Sequence, residues 1–525
     1  MPVIAAPGGR APEPSRCGPV FLDLQAIQSR DYAERGVARH AYEFALALHA
    51  SRPDLLGAIL LNPELPVPPR IEALVSTGRL RFSHVVDPSP CRIYHVIAPF
   101  ELEQHLERIW PARLAGAALV VTLHDLIPRV YPGHYHADPG LRRRYLAREE
   151  LVRAAERVLS VSETTRREAI ERLAIEPDRV RVIGAGISSA FRPAGSGAPA
   201  GFERAREVVP GLRPGFLLYV GGEDHRKNID GLLAGYALLA PELRAQHPLV
   251  VACRLSEAAR ARVLEAARDL SIGDRVLLTG YVEDPALIAL YRATELFVFP
   301  SRYEGYGLPV AEAMACGAPT VAANTSATAE LAPPAGWFDP EDPADIARAI
   351  TAGLTDPATR AALIEASGAA PPTWSQAAAR AAAVYEELLG RPAPPARTLR
   401  VGVVGSPPLP PAIARLDRPG IEVDTFLDTR EGAHRVEAAR GGYDVMVYVL
   451  GEPGAALAAR ARPGIVMAPD VTMARELIAS SLAYLTPSAP MAARARLEAS
   501  PGQEGRVGVA DELPQRVGDC ARRTV

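Results

Sequence analysis

Cysteine is sparse in this chain: Cys17, Cys91, Cys253, Cys316 and Cys520 are scattered, odd in number and show no C-x-x-C spacing. Neither a disulfide framework nor a zinc site is indicated, and buried small thiols are the reading. An excess of one charge is also missing. Lys and Arg number 58, Asp and Glu 61, and the net charge of -3 gives no general reason to bind nucleic acid. No apolar run approaches the ~20 residues needed to span a bilayer. The first residues, MPVIAAPGGRAPEPSRCGP, lack the basic-then-apolar layout of a signal peptide, so a cytoplasmic location is expected. What remains is a folded, soluble composition, 48% apolar and 23% charged, in a chain of 525 residues. That length is too great for one core and predicts two or three domains.

From Pro19 to about Arg192, short β-rich runs (VFLDLQA, LGAILLN, CRIYHVIAP, AALVVTL, RVLSVS, RVRVIGAGI) alternate with helical stretches. This rhythm predicts a parallel sheet covered by helices on both faces. The small-residue run PAGSGAPAG reads as a linker. The rhythm resumes with GFLLYVGG, PLVVACRL, RVLLTGYV, ELFVFPS and APTVAAN and ends in helices near Leu389. Two such α/β domains are expected to bind ligand in a cleft at the carboxyl ends of their strands. A second Pro-rich break, GRPAPPART, precedes LRVGVVG, IEVDTFLD, YDVMVYVLG, GIVMAPD and LAYLTPS, again strands spaced by short helices.

Residues 299–320, FPSRYEGYGLPVAEAMACGAPT, are the most informative text. A strand-like run, a turn freed by Gly305 and Gly307, and Pro309 at a helix start predict strand, loop, helix. The backbone N–H groups of about Tyr306 to Val310, Gly307 and Leu308 among them, and the positive end of the helix dipole would favour a phosphate. Glu304 and Glu312 would be repelled by that phosphate unless aimed at hydroxyls, so one loop could hold a diphosphate between two sugars. Alone, a pair of Glu residues is more often a solvated helix charge. The surrounding EGYGLP, AEAMACG and AP-T-VA, in order, resemble the E-x7-E element of the large family of retaining GT-B glycosyltransferases, which includes bacterial mannosyltransferases and relatives of sucrose and glycogen synthases.

The resemblance implies an α/β GT-B fold: residues 18–195 as an N-terminal Rossmann-like domain on the acceptor side, and 205–390 as a C-terminal one for the nucleotide-sugar donor. The last helix, Trp374 to Leu389, would cross back to the first domain. In YVGGEDHRKNIDGLLAGYALL, Gly221 and Gly222 allow close backbone approach, while Arg226 and Lys227 at a helix start oppose the dipole unless an anion compensates them. The family grips the donor diphosphate with this pair. It also places the donor sugar near Glu304 and the ribose near Glu312. Gly280, Tyr281 and Val282 would lie against the base, or else are plain core strand. VVTLHDLIP ends a strand with His124, a ligand for a donor-sugar hydroxyl by resemblance, and Asp125 on the acceptor side. RGVARHAYEF resembles the RGIGRY text of bacterial mannosyltransferases, with Ala38 in place of a second glycine. Gly36 would approach phosphates or acceptor, and Arg39 and His40 face either acceptor or solvent.

The activity so implied is transfer of a sugar from a nucleoside diphosphate sugar to an acceptor hydroxyl with retention. GDP-mannose is favoured over UDP- or dTDP-sugars. Glu304, His124, Lys227 and Arg226 would be catalytic. No D-x-D element is visible, so no metal and no cofactor are expected. Two rivals stay open: an epimerase or hydrolase of nucleotide sugars, and a non-catalytic sugar-nucleotide-binding subunit. The run LRRRYLAREELVRAAERV reads as an ordinary charged helix, or as a basic patch for an acidic acceptor or for peripheral contact with the inner face of an anionic membrane. Residues 398–525 read as a degenerate copy of a GT-B N-terminal domain. GIVMAPD followed by LAYLTPS repeats the order of AALVVTLHD and RVLSVS, with Pro469-Asp470 where the first copy has His124-Asp125, and SPPLPPAIA in place of a glycine-containing loop. The other reading is an unrelated small α/β domain.

Overall fold

Three separate parallel sheets carry the chain. The computed structural model describes residues 18–29, 36–68, 71–83, 86–87, 90–101, 109, 117–194, 201–369 and 372–390, and, further on, 399–404, 413, 421–426, 445–449, 465–467, 483–486 and 507–509. The first sheet comprises β1 (Val20–Asp23), β2 (Leu56–Leu61), β3 (Leu80–Phe82), β4 (Ile93–Val96), β5 (Ala118–Leu123), β6 (Arg157–Ser160) and β7 (Val180–Val182), ordered β3-β2-β1-β4-β5-β6-β7. Every residue of β1, β2, β4 and β6 is buried, as expected of strands covered on both faces.

The second sheet contains β8 (Leu217–Val220), β9 (Leu249–Ala252), β10 (Val276–Leu278), β11 (Leu296–Phe299), β12 (Thr320–Ala323) and β13 (Trp337–Phe338), in the order β10-β9-β8-β11-β12-β13. The two-residue period of a strand sorts its side chains into two cores. Leu217, Tyr219, Leu296 and Val298 join one apolar cluster, and Leu218, Phe297 and Phe299 the other. The order reverses between β8 and β11, the point at which open α/β sheets bind ligands.

The third sheet is formed by β14 (Leu399–Val404), β15 (Ile421–Phe426), β16 (Val445–Val449), β17 (Ile465–Met467), β18 (Ala483–Thr486) and β19 (Val507–Val509), ordered β15-β14-β16-β17-β18-β19. This is the order of the first sheet with its outermost strand, β3, removed, and β17 and β18 then correspond to β5 and β6. The second sheet without its outermost strand, β10, follows the same order over five strands and has none to correspond to β19. Strand order alone therefore does not choose the parent. Pro469, Asp470 and nearly all of SPPLPPAIA lie outside the described residues, as do Cys17 and Cys520. Cys253 and Cys316 are buried free thiols and Cys91 is half-buried.

The chain divides into two compact units, one of residues 1–122, 138–158 and 382–525, the other of 123–137 and 159–381. The helix Trp374–Leu389 contributes to both. Its Arg380 Nη1 donates to Ile183 O (3.0 Å) in the second unit. In the first unit, Tyr385 Oη meets His95 Nδ1 (2.6 Å), and Glu386 and Glu387 pair with Arg52 (2.6 Å) and Arg157 (2.5 Å). The first unit also buries Asp23 at the end of β1. Its carboxyl meets Tyr94 Oη (2.6 Å), Gln25 Nε2 (2.5 Å) and Gln25 N (3.0 Å). Burial outweighs these hydrogen bonds and pushes its pKa up to about 6. In the helix Pro139–Ala154, Arg153 pairs with Glu149 and Glu150. Among the described residues, no helix is long and apolar enough to cross a membrane.

Candidate active site

Parallel neighbours β8 and β11 release their following loops, 221–228 and 300–307, at the same edge of the second sheet. Asn228 joins the two loops. It adopts a left-handed conformation (φ 56°) at the start of the helix Ile229–Ala237, and its Oδ1 accepts from Gly231 N at 3.2 Å. Its Nδ2 donates to Pro300 O (3.1 Å) and Pro340 O (2.7 Å). Arg302 N and Ser301 Oγ both donate to Arg226 O, at 2.7 and 3.1 Å. The basic pair lies on a single 3-10 turn, His225–Lys227, before the helix and not within its first turn.

Backbone joining places three charges together. Glu304 Oε1 receives Lys227 Nζ at 2.6 Å and Ser301 Oγ at 2.7 Å, while its Oε2 lies 2.7 Å from Arg226 Nη1. Only 7% of Glu304 is exposed. Burial alone would raise its pKa, but Arg226 and Lys227, with the hydrogen bonds from Lys227 and Ser301, hold it down to about 2. Arg226 stays charged against its own burial because Glu304, Asp125 and Asp224 all act on it. Lys227 has less support: burial pushes its pKa down, and the attraction of Glu304 is opposed by Arg226. One carboxylate shared by two largely buried cations leaves Lys227 the under-compensated one.

Around this triad stand residues that the sequence did not single out. Glu304 N donates to Ser326 Oγ (2.8 Å). Tyr131 meets the rings of His225 and Tyr303 edge-on, both at 6.2 Å, and His134 stacks on His225 at 4.1 Å. Tyr135 Oη donates to Asp224 Oδ1 at 2.7 Å. Their sequence, IPRVYPGHYH, has no periodicity that announces a site, and the signal was only the density of ring-bearing residues after the His124-Asp125 turn. That turn reaches the triad's loop closely. A Cβ on Gly305 would fall 1.9 Å from His124 O, so glycine is required there by contact. His124 is half-buried. Asp125 Oδ1 accepts from Ile127 N (3.0 Å), and burial raises the Asp125 pKa while Arg226 opposes the rise.

The remaining expected donor positions fall in the same unit. Gly307 (φ 100°) ends the loop and the helix Leu308–Ala315 follows. Val310 N donates to Gly307 O (3.0 Å) and Pro309 has no N–H, which narrows the expected amide set to Tyr306, Gly307 and Leu308. Tyr306 Oη donates to Ala185 O (3.1 Å). Glu312 is buried with its Oε2 3.4 Å from Tyr291 Oη. Gly221 has a reason other than ligand approach, since a Cβ there would meet the Tyr219 hydroxyl at 2.1 Å; Gly222 faces open space. Gly280 (φ 75°), Tyr281 and Val282 form a loop beyond β10 and are not core strand. Tyr281 is 54% exposed, with the Arg254 guanidinium 5.0 Å from its ring centroid. Gly36 and Arg39 were expected on the acceptor side. They belong to the first unit, exposed and half-buried respectively, on the helix Gly36–Ser51. His40 faces neither solvent nor an open site: it is buried and stacks on Phe44 at 6.0 Å.

Residues 35–191 match the family model Glycosyltransferase Family 4, and residues 203–369 match Glycosyl transferases group 1. Among curated proteins, the chain is 33% identical over 384 residues to the serotype-specific mannosyltransferase WbdA of Escherichia coli, across 65% of this chain and 44% of that protein. It is 34% identical over 257 residues to the O-antigen chain mannosyltransferase B of Escherichia coli, across 48% of this chain and 64% of that protein. The chain thus spans less than two thirds of the length of either. Sucrose-phosphate synthase from Thermosynechococcus elongatus shares the fold with a TM-score of 0.55 at 21% identity, covering 71% of this chain and 99% of that one. So does Anabaena HepE in complex with UDP and glucose, with a TM-score of 0.54 at 15% identity, covering 70% and 99%. With residues 35–191 and 203–369 matched in order by two glycosyltransferase family models, together more than half of the chain, the chain belongs to the glycosyltransferases, and it has the GT-B fold of these structures.

Proposed function

We propose that this chain transfers a sugar from a nucleoside diphosphate sugar, GDP-mannose first, to an acceptor hydroxyl, with retention and without a metal. The observation that carries this reading is the triad: two cations on one buried carboxylate, at the sheet's switch point and beside the loop that opens the Leu308–Ala315 helix. A diphosphate arriving there would supply the charge that Lys227 lacks, and Lys227 and Arg226 would then hold the negative charge that builds on the leaving phosphate. Glu304, relieved of part of its cation contact, would accept hydrogen bonds from donor-sugar hydroxyls, joined by His124. Glu312 would take the ribose, and Gly280 to Val282 the base. In the transfer, the bond from the anomeric carbon to the phosphate oxygen breaks and the acceptor oxygen bonds on the same face. The acceptor's proton passes to the departing phosphate.

Mannose is favoured because both Escherichia coli relatives are named mannosyltransferases, although HepE is a complex with UDP and glucose. Asp125, Gly36 and Arg39 are proposed for the acceptor side, and residues 398–525 as a repeat of the first domain, a reading that the strand order accommodates. The test is a panel of nucleotide sugars scored by thermal stabilisation and then by turnover on the full chain. GDP-mannose should raise the melting temperature most, and Lys227→Ala and Glu304→Ala should each cut turnover by about a hundredfold or more. Turnover left intact by both substitutions, with every donor, defeats the proposal.

A further inference from the structure

The chain neighbours of Glu304 on either side are tied to one helix. Tyr303, buried, donates its hydroxyl to Glu168 Oε2 across 135 positions of sequence. Burial, then the Glu168 charge, keeps that hydroxyl protonated and so a donor. Thr165 Oγ1, one helical turn before Glu168, lies 3.2 Å from Gly305 O and 3.3 Å from His124 O. The helix, Glu163–Leu173, is held at its start from outside, and the Glu168 carboxylate is held from within the helix. Glu330 accepts from Glu163 N (3.0 Å) and Thr164 N (2.6 Å), and Arg172 Nε donates to Glu168 Oε1 (3.1 Å). The cations' turn is joined to the base of the Glu304 loop, through Asn228 Nδ2 to Pro300 O and through the Arg226 carbonyl, which accepts from Ser301 and Arg302, and is anchored outside that loop through Asn228 Nδ2 to Pro340 O.

We propose that Glu168 is a positioning residue for sugar transfer: through Tyr303 it sets where the Glu304 carboxylate stands between Arg226 and Lys227. The proposal rests on the function stated above. Its physical basis is that a carboxylate bonded at 2.6–2.7 Å to two cations, on a loop whose base is already tied to theirs, tolerates little movement of the Tyr303–Gly305 segment that carries it. The helix comes from the stretch matched by the family 4 model, and the loop from the stretch matched by the group 1 model. The bond therefore couples the two matched halves at the residue assigned to the donor sugar.

The experiment compares wild type, Tyr303→Phe, Glu168→Gln, Glu168→Ala and the double variant Tyr303→Phe/Glu168→Ala, each as the full chain, for donor kcat, donor KM and melting temperature. Tyr303→Phe and Glu168→Ala should each lower kcat by about tenfold to a hundredfold, with KM changed by less than about threefold. Glu168→Gln keeps an acceptor oxygen for Tyr303 and should restore kcat to within about threefold of wild type. The double variant should be no worse than the weaker single one, because both remove one bond. Wild-type kcat in Tyr303→Phe, a Gln variant as poor as Ala, or losses that multiply in the double variant overturns the proposal. Should Tyr303→Phe fail to fold, the Gln and Ala variants of Glu168 still decide it. A wild-type chain that turns over no sugar nucleotide sinks the functional reading and this proposal with it, whereas normal turnover with an indifferent Tyr303 sinks this proposal alone.

Discussion

Asp23 and Glu304 are both buried carboxyls at the end of a central strand or just beyond one, yet they are held in opposite ways. Asp23, in the first unit, has neutral neighbours: Tyr94 and Gln25 donate to it, and burial raises its pKa to about 6. Glu304, in the second unit, has two cations, and its pKa falls to about 2. Burial sets the size of the penalty for charge in both places, and the neighbours decide whether it is met. Tyr94 Oη also reaches Ile109 O at 2.5 Å, so a protonated Asp23 can donate to Tyr94 while Tyr94 donates onward. Asp23 is thus held by neutral donors, and Glu304 by two cations.

The sharpest way to break this contrast is to neutralise Glu304. Glu304→Gln leaves Arg226 and Lys227 buried without their carboxylate and should cost about 3–5 kcal/mol at pH 7, read by urea unfolding. The wild-type protein should also lose stability as the pH falls from about 4.5 to about 2, because the unfolded chain takes up the proton before the folded Glu304 does. The Gln variant should lack that component, and an unchanged acid slope would remove the charged assignment. Asp23 predicts the opposite sign. Its folded pKa is raised, so its contribution is present below about 4 and is lost as the pH rises to about 6, an effect of about 2–3 kcal/mol. Asp23→Asn should abolish that decline and be the more stable form above pH 6; equal pH profiles for the two proteins would contradict it. The smallest effect belongs to His225. Burial, then His134 and Arg302, lower its pKa despite Asp224 and Glu341, so stability should drop as the pH falls below about 6.5. Because His225 is exposed, less than about 1 kcal/mol should separate His225→Asn from wild type in the pH 7 to 5 difference.

The sequence made the triad's members legible because they sit in two short texts, HRKN and YEGYGLP, each beside a strong strand signal. The strands VFLD, LLYV and LFVF were legible for the same reason, apolar and β-favouring runs between turn residues. What pairs Glu304 with both cations was not. The sequence suggested a diphosphate as their counter-ion, and in the folded chain the acid itself takes that place. Edge strands β3 and β13, of three and two residues, carry too little pattern to be seen. Tyr303 with Glu168, and Asp23 with Tyr94, depend on residues far apart in sequence, where no local period reports a contact. Gly221 was singled out for backbone approach to a ligand, and its nearest constraint is the Tyr219 hydroxyl. His40 lies on a helix whose buried face could not be told from an open one by spacing alone.

Gly305 carries a consequence for engineering. With the His124 carbonyl filling the space of its absent side chain, the turn after β5 and the loop after β11 have to be inherited as a matched pair. A chimera that takes residues 35–191 from one parent and 203–369 from another will keep its geometry only when the two parents agree at this point of touch, whichever sugars they handle.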